Sequence, residues 1–309
     1  MTKKLINSAT ILALAAAAIS GTNNFLAKIA VTAIKDPIIY TTLKNAIVAV
    51  GLIGIVLVFK KWSEIKSLKM GQLAMLFVIG IIGGSVPFAL YFTGLTMTSA
   101  INASLIHSTL FLWVLFLAAP ILKERMNGWQ WIGVAAIFAA NMFIGGFTGF
   151  KLNIGELMIF GATVLWGIEN IIAKVALRDI SSTTVVAARM FIGSVLLGIF
   201  LFLRGNGMPS FALSPAQWGW TLLTSALLLG YVIAWYAALK RAPATYIATL
   251  LVPATLVTNM LSIIFITKSF TLNDLISALL YGSGMVFVVL FMKKPSVSRI
   301  DIAPTLTTV

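Results

Sequence analysis

Residues 20–30 read SGTNNFLAKIA, and residues 166–176 read WGIENIIAKVA. Five of these eleven aligned positions are identical: Gly21/Gly167, Asn24/Asn170, Ala27/Ala173, Lys28/Lys174 and Ala30/Ala176. The register continues beyond them. Lys44 falls opposite Arg189 when one gap is allowed, and YFTGLTMTSAINASL (91–105) lies over WYAALKRAPATYIAT (235–249), with Leu95 over Leu239 and Ala100 over Ala244. The chain reads as a duplication, its first copy at 1–147 and its second at 153–292. A polar tail at 293–309 follows, expected to be cytoplasmic and without fixed structure.

The 309 residues are 60% hydrophobic and only 10% charged, with a mean hydropathy of +1.03. A water-facing surface needs far more charge than that. Apolar runs of about 20 residues, the length that crosses a bilayer, recur along the whole chain. They predict an all-α membrane protein with ten transmembrane helices, near 5–34, 38–59, 71–93, 99–122, 128–147, 153–178, 183–203, 214–239, 243–266 and 273–292. Short breaks such as KDPI and KRAPAT make sequential helices antiparallel neighbours. Five spans per copy is an odd number, so the second copy must enter the membrane from the opposite side. This predicts two inverted-topology five-helix repeats, an arrangement of transporters whose substrate sites lie near the midplane where the halves meet. The opening MTKKLINSATILALAAAAIS has the look of a secretory signal. That reading is set aside, because the apolar stretch runs on to Ile34 and cleavage would remove most of a helix whose twin is kept.

A net charge of +14 would suggest nucleic acid in a soluble protein. Here the basic residues flank apolar spans, so they indicate topology and contact with anionic lipid head groups, with no nucleic-acid partner. With the N-terminus inside, fourteen basic residues fall in inner segments: Lys3, Lys4, Lys60, Lys61, Lys66, Lys69, Lys123, Arg125, Arg178, Lys240, Arg241, Lys293, Lys294 and Arg299. Only Lys35, Lys151, Arg204 and Lys268 fall outside. The imbalance predicts a multi-pass protein of a plasma or bacterial inner membrane with both termini cytoplasmic. There is no cysteine and one histidine, His107, so no disulfide framework, metal site or cofactor is expected. No P-loop or nucleophile–base set is present, and an enzyme is not expected. Nor is there a filter-like loop of the kind a channel needs.

Five charged residues lie within spans: Lys28, Lys44, Glu169, Lys174 and Arg189. A charge at the bilayer centre costs roughly 2.5–3.5 kcal/mol on insertion scales, so such groups turn inward and pair. Asn24 and Lys28 share a helix face, as do Asn170 and Lys174, whereas Glu169 and Lys174 point about 140° apart and are not expected to pair. Lys28 and Lys174 sit near the C-terminal ends of their helices, where the dipole favours a cation, and read as anchors or as part of a gating network. Lys44 and Arg189 lie deeper and suit a gating or charge network equally with a structural role. Glu169 stands where the first copy has Asn23. It either meets a substrate ammonium or a proton, or is the buried partner of Arg189 or Lys44.

Trp113, Tyr236 and Phe92 join Tyr91, Trp166, Trp235 and Tyr246 as aromatics expected near the cavity, with plain packing as the alternative for each. His107 reads as a packing residue or a proton relay. The expected substrate-binding set is Glu169, Asn23, Asn24, Asn170, Tyr91, His107, Trp166, Trp235 and Tyr246. Pro87, Pro120 and Pro253 should kink their helices and free carbonyls, and Gly80, Gly83 and Gly84 should allow close helix contact or hinging.

Three features together carry a resemblance. They are the paired SGTNN and WGIEN motifs, the basic residue in each second helix, and the stretches PFALYFTGLTMTSAINASLI and FLAAPILKERMNGWQWIG. Over nearly its whole length the chain resembles the drug/metabolite transporter superfamily, and within it the EamA-type ten-span carriers. Glu124, closing the fourth helix, fits that family's pattern, whereas Lys268, aligned as its counterpart, departs from it. The resemblance implies small organic cargo and alternating access about a central cavity, without ATP hydrolysis. A core with both signs of charge and aromatic walls then predicts a secondary transporter of small metabolites, amino acids or related zwitterions foremost, working as an exporter and as a monomer or weak dimer. The alternative is a proton-coupled exporter of drugs or organic cations, motivated by Glu169. Four intramembrane basic groups against one acid weigh against purely cationic cargo.

Overall fold

The structure is a computed structural model that describes residues 3–124, 126–143, 149, 152–203 and 213–291. The expected tail at 293–309 lies outside the described residues, as do Arg125, Lys151 and Arg204 of the charge count. Every regular element among the described residues is helical. In chain order the long helices are α1 (Lys3–Ile34), α2 (Pro37–Val58), α3 (Met70–Met97), α4 (Ala100–Leu122), α5 (Gly128–Met142), α6 (Ile154–Ala176), α7 (Ser182–Leu203), α8 (Pro215–Arg241), α9 (Ala244–Thr267) and α10 (Leu272–Leu290). A short helix, Trp62–Lys66, bridges α2 and α3. Nine of these helices are long and apolar enough to cross a membrane. The exception is α5, whose 15 described residues reach about 22 Å at 1.5 Å per residue. The span expected at 128–147 is described only to residue 143.

The helix ends follow from local chemistry. Asp36 caps α2, its Oδ1 accepting from the Ile38 and Ile39 amides at 2.8 and 3.1 Å, with Pro37 in the first turn where no N–H is needed. Asn127 with Gln130, and Ser214 with Gln217, close reciprocal capping boxes on α5 and α8. Lys35, Lys60, Lys123 and Lys268 take positive φ at helix ends. There the left-handed stop is filled by lysine rather than glycine, and each brings a cation to the negative end of a helix. Lys123 closes α4 and Lys268 closes α9 in the same conformation. By backbone geometry the counterpart of Lys268 is therefore Lys123, not Glu124. Glu124 instead caps α9, accepting from the Ala244 and Thr245 amides at 2.8 and 2.9 Å.

Helices of one half of the chain pack mainly on helices of the other. α1 lies along α8 and α9, α6 lies along α3 and α4, α2 packs on α7, and α5 packs on α10. Among the described residues three helices are irregular. α3 contains a π-helical segment, Gly80–Ser85, just ahead of Pro87. α4 breaks at Thr109 and α9 at Pro253, and α9 ends in a second π segment, Ile263–Thr267. The crossing of α3 and α7 depends on small residues: a Cβ on Gly84 would sit 2.1 Å from the Arg189 carbonyl oxygen, and one on Gly193 2.3 Å from the Gly84 oxygen. That contact brings Arg189 to the centre of the molecule.

Candidate functional site: a charged aromatic cavity among the crossing helices

Pro87 shapes one wall. It has no N–H to give to the turn before it, the π-helical stretch Gly80–Ser85. The indole Nε1 of Trp166 donates to the Gly83 carbonyl at 3.0 Å, and the Asn45 amide donates to the Gly84 carbonyl at 3.0 Å. Gly83 also leaves the room that Glu169 fills, since a Cβ there would lie 2.5 Å from the Glu169 Cγ. A cavity of about 50 Å³ opens beside this wall. It is lined from α1 by Ser20, Asn23 and Asn24, from α3 by Phe88, Tyr91 and Phe92, and from α4 by His107 and Leu110. From the other half come Trp166, Glu169 and Asn170 of α6, Arg189 of α7, and Leu228, Tyr231, Trp235 and Tyr236 of α8.

Three couples of side chains repeat between the halves. In the first, a basic residue on the second helix of each half meets the residue just before the shared asparagine. Lys44 Nζ donates to Asn23 Oδ1 at 3.2 Å, and Arg189 Nε lies 3.8 Å from Glu169 Oε1. In the second, the asparagine itself receives an aromatic donor, Tyr91 hydroxyl to Asn24 Oδ1 at 3.4 Å and Trp235 Nε1 to Asn170 Oδ1 at 2.8 Å. The third is a lysine one turn further on that binds the carbonyl end of a neighbouring helix. Lys28 Nζ donates to the Leu95 and Thr98 carbonyls at 2.6 and 2.7 Å, and Lys174 Nζ to those of Leu239 and Ala242, both at 2.6 Å. A cation held on orphan carbonyls answers both the missing donors and the negative dipole of a helix end.

Of the nine residues expected to bind substrate, eight come together at the cavity: Glu169, Asn23, Asn24, Asn170, Tyr91, His107, Trp166 and Trp235. Tyr246 does not. It sits in the first turn of α9 with its hydroxyl 2.8 Å from Thr10 Oγ1, and Thr10 lies about 15 Å along α1 from Ser20 at the helical rise. Arg189 lines the cavity, whereas Lys44 is not among the lining residues and is fully buried, its ammonium on Asn23. Lys28 and Lys174 lie away from the cavity on the helix ends they bind. Trp113 is also elsewhere, edge-on to Phe160 with ring centroids 5.6 Å apart.

Glu169 has two partners, Arg189 and the hydroxyl of Tyr236, which donates to Oε1. The Arg189 guanidinium lies 5.4 Å from the Phe88 ring centroid and 5.7 Å from that of Tyr236, within reach of cation–π attraction. His107 packs on Trp166 and Tyr91 with ring centroids 5.2 and 5.7 Å apart. Among the described residues no cluster of His, Asp and Glu could hold a metal ion.

Sequence reading passed over Ser20, Phe88, Leu110, Leu228 and Tyr231. For some of them a signal existed. Ser20 opens the quoted motif, Tyr231 is one helical turn before Trp235, and Phe88 is one turn before Tyr91, so each shares a face with a chosen residue.

The EamA-like transporter family model matches residues 7–146 and again 153–290. The chain is 23% identical over 259 residues to the uncharacterized transporter YoaV of Bacillus subtilis (strain 168), covering 81% of this chain and 86% of that protein. It is 32% identical over 164 residues to the uncharacterized transporter YvbV of the same organism, covering half of each. A protein of known crystal structure superimposes with a TM-score of 0.74 at 18% identity, covering 94% of this chain and 99% of that one, a likeness of fold. The chain belongs to the EamA-like transporter family and is a multi-pass membrane transporter of the drug/metabolite type.

Proposed function

We propose that the protein carries small zwitterionic metabolites, amino acids foremost, out of the cell by alternating access at this cavity. The supporting observation is the cavity wall itself. It offers a carboxylate on Glu169, a guanidinium on Arg189, the amides of Asn23, Asn24 and Asn170, and the aromatic faces of Tyr91, Trp166 and Trp235. A zwitterion needs both signs of charge within one molecule's length, and aromatic faces suit its apolar side chain and its ammonium.

In this reading two inverted five-helix copies, 1–147 and 153–292, rock about the cavity. Both termini are cytoplasmic, in a plasma or bacterial inner membrane. The three repeated couples support the inverted copies, because each links helices of equivalent rank in the two halves. So does the exchange of partners in which α1 lies on α8 while α6 lies on α3.

Proteoliposomes assayed for uptake and efflux over a panel of amino acids test the proposal and read its direction. The expected result is protein-dependent flux of at least one zwitterion, faster outward. Flux of other solutes with none of the panel would overturn it. A proton-driven exporter of organic cations is the second reading, and it would leave Glu169 available to the cation or the proton. The guanidinium of Arg189 beside Glu169 repels a purely cationic cargo and favours the first reading. Organic-cation flux that follows a pH gradient and loses that dependence in Glu169→Gln would restore the second.

A further inference from the structure

The repeated couple of basic residue and α1/α6 partner is complete in one half and incomplete in the other. In the second half Arg189 faces the carboxylate of Glu169. In the first half the equivalent position holds Asn23, so Lys44 meets an uncharged carbonyl oxygen at 3.2 Å. Lys44 is fully buried. Its Nζ lies 4.8 Å from the Phe92 ring centroid and 5.5 Å from that of Tyr40, and among the described residues no carboxylate comes within ion-pair distance of it. Aromatic faces offset only part of the cost of burying an ammonium; a counter-ion offsets far more. Asn23, which accepts from Lys44, and Phe92, whose ring lies beside its ammonium, both line the cavity.

We propose that the substrate supplies the missing fourth charge: its carboxylate seats at Lys44 and Asn23, mirroring the place Glu169 takes beside Arg189. This rests on the cavity being the transport site. It further assigns the poles, putting the carboxylate end of the cargo toward α1 and α2. The ammonium or apolar end then turns toward Trp166, Tyr91 and Trp235. Cargo must therefore carry a carboxylate or a group of the same charge and geometry, and an amine lacking one is rejected. Arg189 differs from Lys44 in already having a carboxylate, that of Glu169, 3.8 Å away.

The test is ligand-induced thermal stabilisation of the purified full chain with four matched probes: leucine, leucinamide, 3-methylbutylamine and 4-methylpentanoate. Stabilisation by mass action reports binding to the folded state. Leucine and 4-methylpentanoate should raise Tm, and the two probes without a carboxylate should not. Asn23→Asp puts a carboxylate beside Lys44 without changing side-chain size. It should keep or raise the ligand-free Tm while weakening carboxylate binding about tenfold or more, as the loss of one charge-assisted contact would do. Lys44→Gln should weaken it similarly, and the ligand-free Tm shows whether each variant is folded.

Stabilisation by 3-methylbutylamine equal to that by leucine would overturn the assignment. So would an undiminished leucine response in folded Asn23→Asp. A response to 4-methylpentanoate alone would keep the carboxylate seat and overturn the zwitterion reading. A response to leucine that survives Asn23→Asp would do the reverse. Silence from all four probes would overturn both.

Discussion

Glu169 and Arg189 are each nearly inaccessible to solvent and stand 3.8 Å apart. Breaking a buried pair from one side strands the other charge, at a cost of about 3–5 kcal/mol. Glu169→Gln should therefore lower the melting temperature in detergent markedly, and the double replacement Glu169→Gln with Arg189→Met should recover part of the loss. A double variant as unstable as the sum of its singles would show that the two groups act independently. The lysines on the helix ends make a different prediction. Lys174→Met removes two charge-assisted hydrogen bonds to the end of α8, a loss of about 1.5–3 kcal/mol for each. It should lower stability while leaving substrate affinity within about twofold, well under the tenfold that 1.4 kcal/mol of lost binding would give; affinity falling tenfold at unchanged stability would contradict an anchoring role. Much of this site could be read from the chain, because Asn24/Asn170, Lys28/Lys174 and Asn23/Glu169 come in register and register implies equivalent environments. Tyr246 could not be placed that way. Its spacing fits the fourth span of its repeat, but which level of α1 it touches depends on how far α9 extends before its break at Pro253.

At the level of elements, the irregular stretch of α3 is the feature that builds the cavity. Pro87 announces a kink in the sequence, and the three nearby glycines announce a close approach. What they do not announce is the partner: the Gly83 carbonyl is taken by Trp166, whose position is set by the packing of α6 on α3. At the crossing of α3 and α7, Gly193→Leu would force a side chain against the Gly84 carbonyl. It should destabilise by at least about 1–3 kcal/mol, the usual cost of overpacking. Gly198→Leu on the same helix, where a Cβ meets nothing within 4 Å, should be tolerated; equal losses from the two would contradict the close contact.

The short helix Trp62–Lys66 makes a further connection. Glu64 accepts from the Ser181 amide at 2.7 Å, the Ser181 hydroxyl at 2.6 Å and the Thr184 hydroxyl at 2.7 Å, tying the loop after α2 to the start of α7. Partial burial pushes this carboxyl up, but the donors from Ser181 and Thr184, with Lys61 nearby, outweigh it and hold the group below its ordinary value of 4.5. A group held down in the folded state stabilises fully above that ordinary value, and its contribution fades as pH falls beneath it. Thermal melts between pH 7 and pH 3 should show this acid-side loss in the wild type and less of it in Glu64→Gln; parallel curves would remove Glu64 from the link.

For the molecule as a whole, the apolar runs and the duplicated motif are enough to read a helical membrane protein, and nine helices of crossing length stand among the described residues. Individual span edges were less legible. α3 runs to Met97 rather than stopping near 93, because its final turn carries on until Lys28 takes up its carbonyls. The proposed alternation requires one cavity, bounded by helices of both halves, to face the two sides of the membrane in turn. The sequence contains no cysteine, so a single introduced thiol reports without background. Ser20 lines the cavity and is only 5% exposed, and Ser20→Cys is close to isosteric. The decisive measurement is its reaction with a membrane-impermeant thiol reagent applied separately to each face of sealed vesicles, with and without a transported amino acid. Alternating access should give labelling from both faces, with the balance between them changed and the total slowed by substrate. Labelling confined to one face under every condition, or indifferent to a substrate that is being transported, would contradict it.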